Sequence, residues 1–139
     1  DFNTISDTKL YYDPGYSSID AVLVKRAVKD YVLVVKDNTR NCRDIKVAFG
    51  ESPTGPFGPT SEAFTPEFCE GPTVAKVGDE YYIYYDAYRE KKFGAMKTKD
   101  FISFTDETDN ISMPEGHKHG TIFKAPAFVV ANLIRNQNK

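Results

Sequence analysis

Two carboxylates and an imidazole recur along the chain at nearly even spacing: Asp20, then Glu70 fifty positions later, then His119 a further 49. Brought to one place, residues of these types supply acid–base chemistry. Two carboxylates in a shared, partly dry pocket split in pKa, which leaves one poised to give a proton while the other stays ionised. Carboxylate pairs of this kind perform glycoside hydrolysis. The rings of Tyr12, Tyr16, Tyr88 and Phe93 offer flat faces of the sort that sugars lie against. The plainer alternative is that each acid caps a strand or turn and that the aromatics only pack between sheets.

The spacing belongs to an internal repeat, and a repeat governs everything local. Ser18–Val24 and Asp30–Asp37 align with Glu70–Val74 and Glu80–Asp86 at an offset of 50. Both copies continue into a short apolar run, Ile45–Phe49 and Phe93–Lys97, and a third copy opens at His119–Phe123. The first residues, Asp1–Ser6, resemble Asp100–Thr105; Asp1 precedes Asp20, and Asp100 precedes His119, by the same 19 positions. Each unit reads as short strands rich in Val, Ile, Tyr and Phe, cut by turns such as Asp13-Pro14-Gly15, Gly50–Pro56 and Gly78-Asp79. A helix across Ser18–Asp37 is disfavoured, because its β-branched residues are poor helix formers and the aligned copy carries Gly71, Pro72 and Gly78.

The expected fold is therefore all-β, with units near 18–67, 68–117 and 118–139. Four strands in about 40–50 residues describe one blade of a β-propeller. The first strand of a blade lines the central channel, so Asp20, Glu70 and His119 are expected to converge at one mouth of it. Propellers close with about four to eight blades. This chain holds two full units and parts of two others, and an open arc exposes strand edges. The expectation is one piece of a single propeller domain, completed by N-terminal blades of the same protein or by another copy of the chain.

Composition narrows the partners. With 139 residues, 40% of them hydrophobic, and a net charge of -2, the chain can fill a core but shows no basic face for nucleic acid or an anionic membrane. No apolar run reaches the ~18 residues that a spanning helix needs. The amino terminus has neither Met nor a signal-like stretch, which is expected of a processed chain or of part of a longer one. Cys42 and Cys69 form no disulfide framework and no zinc signature, leaving one disulfide or two buried thiols.

Lys9–Ala21, Cys69–Val74 and Gly116–Thr121, in this order and one unit apart, resemble the motifs of glycoside hydrolase family 43, over roughly residues 1–125. The resemblance implies a five-bladed β-propeller and an inverting glycosidase acting on arabinose- or xylose-containing plant polysaccharides. It implies that Glu70 is the general acid and that Asp20 orients it and tunes its pKa. It makes His119 a substrate-binding residue that also helps hold a water or a calcium ion, with no other cofactor required. The general base of the family lies in the first blade, which this chain lacks. Asp1 and Asp7 fall in an outer strand and its loop and are no substitute, so the chain alone is expected to hydrolyse little. Export, to the periplasm or outside the cell, is implied for such enzymes. Tyr16, Tyr88 and Arg40 are further expected substrate contacts, Arg40 and Arg43 flanking Cys42 at a loop beside the channel mouth. A different class of function, a carbohydrate-binding or interaction propeller without catalysis, uses the same carboxylates only to hold hydroxyls.

Several residues have simpler readings. His117 points to the opposite face from His119 if the segment is a strand. Arg89–Lys92 reads as a solvated hairpin tip and Met96 as core. Ala125–Ile134 departs from the unit pattern and reads equally as a terminal helix or a closing strand.

Overall fold

Alternating apolar residues and tight polar turns give two antiparallel sheets in the computed structural model, which describes residues 3–114 and 116–136. The first sheet has the order β1 (Ser18–Ala27), β2 (Asp30–Asp37), β3 (Ile45–Gly50). The second has β4 (Cys69–Val77), β5 (Glu80–Ala87), β6 (Lys92–Thr98) and the short β7 (Thr105–Asp106). One helix, α1 (Ala127–Asn136), follows. Sheets thus make up nearly all of the regular structure, and the terminal segment resolves as helix. Asp1 and Phe2 of the opening partial copy lie outside the described residues.

The second unit forms its four strands and the first only three. The missing strand falls in 51–68, which carries Pro53, Pro56, Pro59 and Pro66. Proline has no amide to give a ladder. The segment still follows β3, through Gly58 N to Phe49 O, Ser61 N to Val47 O and Phe64 N to Ile45 O. The strand expected to open the third copy at His119–Phe123 does not form. A strand needs a hairpin partner, and the residues that would supply one are spent in α1. Ile122 N instead donates to Thr73 Oγ1 at 3.2 Å.

The sheets pack face to face through Val32 and Val34 of β2, Ile45 and Val47 of β3, and Tyr81, Ile83 and Tyr85 of β5, all buried. Met96 is in this core, as expected. The stacking is front to back: fifty positions after Val32 and Val34 come Tyr82 and Tyr84, which alternate away from the core face and are half-buried. Arg26 ties the sheets together. Its Nη1 donates to Asp100 O at 2.7 Å, its Nε and Nη2 donate to Asp30 Oδ1, and the guanidinium lies over Phe49 and Phe101. Cys42 and Cys69 are both free thiols. Burial pushes the Cys69 thiol up to about 11. Among the described residues no helix is long and apolar enough to cross a membrane.

The two copies differ by one residue in register. At the hairpins Ala27 faces Asp30 and Val77 faces Glu80, in step at 50. A bulge at Arg26, between Lys25 and Ala27, has no counterpart in the second sheet. Beyond it Val22 faces Val34 while Thr73 faces Tyr84, so β1 and β4 run 51 apart. Near their starts both strands bulge at matching places, Asp20-Ala21 and Gly71-Pro72.

Candidate active site

The site forms where these paired bulges meet. The register makes Asp20 the equivalent of Gly71 rather than of Glu70, and both adopt left-handed backbone, φ 53° and 57°. Glycine takes that conformation freely, and Asp is among the side chains that tolerate it best. The bulge breaks the ladder, frees the Gly71 amide and lets Asp20 Oδ2 accept from it at 3.0 Å, across the sheet boundary. Glu70 thereby stands beside Asp20 although the two occupy different places in their copies.

His119 completes the cluster from the irregular segment before α1. Its ring lies on Gly71, where an added Cβ would sit 2.7 Å from it. Its Nε2 is 3.3 Å from Glu70 Oε1. One potential ligand atom from each of Asp20, Glu70 and His119 lies within 4.8 Å of the others. An open pocket of about 340 Å³ is formed there, walled by Asp20, Val22, Pro72, His119 and Thr121.

Lys36, on β2, reaches Glu70 Oε2 at 2.7 Å and is 3% exposed. Burial alone would raise the Glu70 carboxyl, but the bonds from Lys36 and then His119 outweigh it and hold Glu70 below its ordinary value. Behind Lys36 stands Tyr88, its ring 5.2 Å from the ammonium and its hydroxyl accepting a long bond, 3.4 Å, from Arg43 Nη1. Tyr88 therefore supports the site from behind. Asp86 faces Glu70 in the β4–β5 register, is 3% exposed, and has no hydrogen-bond partner at Oδ2 among the described residues.

The other expected contacts lie elsewhere. Tyr16 donates to Thr60 Oγ1 at 3.0 Å and has Lys46 over its ring; Arg40 is exposed in the β2–β3 connection; neither walls the pocket. Phe93 and His117 line a separate concavity with Lys91 and Ile111. Asp7 is exposed in the strandless segment before β1, and Glu90 pairs with Lys92 at the β5–β6 tip. Lys36 was not singled out from sequence, yet it sits in the same alternation as Val32 and Val34, which marks it as inward-facing.

A 4.8 Å cluster is too tight for the acid and base of an inverting reaction, which stand about 6.5–9.5 Å apart with water between them. Asp20 and Glu70 are therefore not the acid and base of such a reaction. Calcium takes about 6–8 oxygen ligands. The cluster offers two carboxylates and a nitrogen, and Lys36 already occupies Glu70, so this donor set does not fit that ion.

A family profile described as a probable glycosyl hydrolase domain, related to glycoside hydrolase family 43, matches residues 1–127. No curated protein and no solved structure matches the chain.

Proposed function

Because the chain belongs to this family of probable glycosyl hydrolase domains related to family 43, we propose that it carries the acid side of an inverting glycosidase site in a five-bladed β-propeller. The observation that carries the reading is the convergence of Asp20, Glu70 and His119 from the two sheets and the segment after them. Glu70 gives its proton to the leaving glycosidic oxygen. Asp20, fixed by the Gly71 amide, keeps Glu70 oriented, and His119 holds a sugar hydroxyl or a water at the pocket wall. The base comes from a first blade outside this chain, contributed by the same protein. The substrates are arabinose- or xylose-containing plant poly- or oligosaccharides, and the enzyme works outside the cytoplasm.

The test is release of sugar from such an oligosaccharide by the full-length protein. Glu70→Ala is expected to lower turnover about 10²–10⁴-fold, the usual worth of a general acid, and the first-formed product should show inverted anomeric configuration by NMR. Full activity in Glu70→Ala would remove Glu70 from the mechanism. A second reading, carbohydrate binding without hydrolysis, is favoured by Lys36, because an ion-paired carboxylate accepts hydroxyls well and donates protons poorly. Saturable binding of the oligosaccharide with no product from the unaltered protein would select it.

A further inference from the structure

The pocket beside the carboxylates does not end at Asp20. A second cleft, about 160 Å³, shares Asp20 and Ala21 with it at the start of β1. Its walls are Tyr11 and Tyr12, and its floor is formed by Ile19, Leu33 and Val35. Both tyrosines are fixed. The Tyr11 hydroxyl donates to Pro53 O and that of Tyr12 to Gly58 O at 2.8 Å, while each ring packs against Phe57, with centroids 5.7 and 5.8 Å away. With the two hydroxyls committed, the lining is mostly carbon, from the tyrosine rings and from Ile19, Leu33 and Val35, with Ser18 and Asp20 as its polar side chains.

We propose that Tyr11 and Tyr12 form a subsite for a flat apolar ring, so that the site takes a glycoside bearing an aryl group, with the sugar at Asp20, Glu70 and His119. Only the sugar half of this ligand rests on the carbohydrate reading. A second sugar in the cleft would find only Ser18 and Asp20 as side-chain partners for its several hydroxyls, and polar groups left unpaired cost free energy on burial. A planar ring of benzene size suits it: a 150 Å³ apolar cavity is known to take benzene, and the ring–tyrosine contacts contribute about 0.5–1.5 kcal/mol beyond burial. Because the walls are held before binding, little ordering remains to offset that gain.

The experiment compares p-nitrophenyl and methyl α-L-arabinofuranoside by calorimetry on the intact chain, and follows the methyl resonances of Ile19, Leu33 and Val35 by NMR with each glycoside and with free p-nitrophenol. The aryl glycoside should bind about tenfold more tightly, the equivalent of 1.4 kcal/mol. It should shift those methyls where the methyl glycoside does not, and Tyr12→Ala should erase the preference. Equal affinities, or unshifted methyls with the aryl probes, overturn the subsite. If neither glycoside binds measurably but p-nitrophenol still shifts the three methyls, the subsite stands and the sugar reading fails. Should Tyr12→Ala not fold, the shifts in the unaltered chain decide.

Discussion

Glu70 is held by two neighbours that pull its chemistry in one direction. Its carboxyl sits below its ordinary value of 4.5, so its contribution to stability is complete above that pH and is lost as pH falls through the lowered folded value. Lys36→Met leaves burial opposed by His119 alone. The Glu70 midpoint, read from its side-chain carbon by NMR, should move upward, and the acid arm of the stability curve below about pH 4.5 should flatten. At neutral pH the variant should lose roughly 2 kcal/mol in denaturant unfolding, less than the ~3–5 of a fully buried pair because Glu70 is 24% exposed. Gly71 is the second control point. Gly71→Ala pays about 1–2 kcal/mol for left-handed backbone and also drives its methyl into the His119 ring. Gly78, at φ 61° with nothing near its missing Cβ, pays only the first cost. A larger thermal destabilisation in Gly71→Ala than in Gly78→Ala, with the His119 resonances displaced only in Gly71→Ala, is the expected pair of results.

The hairpin of β1 and β2 is where one sheet is fastened to the next. Arg26→Ala removes the Asp30 pair, the bond to Asp100 O and the cover over Phe49 and Phe101. A loss of about 1–3 kcal/mol is expected from charged hydrogen bonds of this kind, measured by denaturant unfolding; an unchanged midpoint would mean that the link between sheets is idle. Strands and turns were legible here because apolar alternation and Gly or Pro punctuation are written locally. The one-residue bulge was hidden by an ungapped period of 50. It can be read by aligning Lys25 with Lys76 and leaving a gap before Asp30 and Glu80. Lys36 and Asp86 escaped notice for a related reason: each ends an apolar strand, where a charge reads as the start of solvent. Both are nonetheless buried.

At the scale of the molecule, the repeat located Asp20, Glu70 and His119 correctly as neighbours, although two of them reach the site from non-equivalent positions. It did not locate Tyr16 or Arg40 there, since loop contacts depend on how 51–68 and the β2–β3 connection fold back. Nor did it give the third unit's fate. α1 buries none of its residues, with Phe128, Leu133 and Ile134 all more than half exposed. Ending the chain after Pro126 should therefore shift the thermal midpoint of the sheets by less than about 2 °C, as surface changes of under ~0.5 kcal/mol do; a larger drop would reveal an unseen role for the helix. The Arg26 bulge reaches further. Because the copies are in frame at one end and out of frame at the other, a consensus unit built by averaging them position for position would superimpose Asp20 on Glu70. That unit would put a carboxylate one place away from the left-handed position that Asp20 fills and Gly71 needs. A designer who idealised this repeat would obtain a sound sheet and erase the site, unless the extra residue were kept in one copy alone.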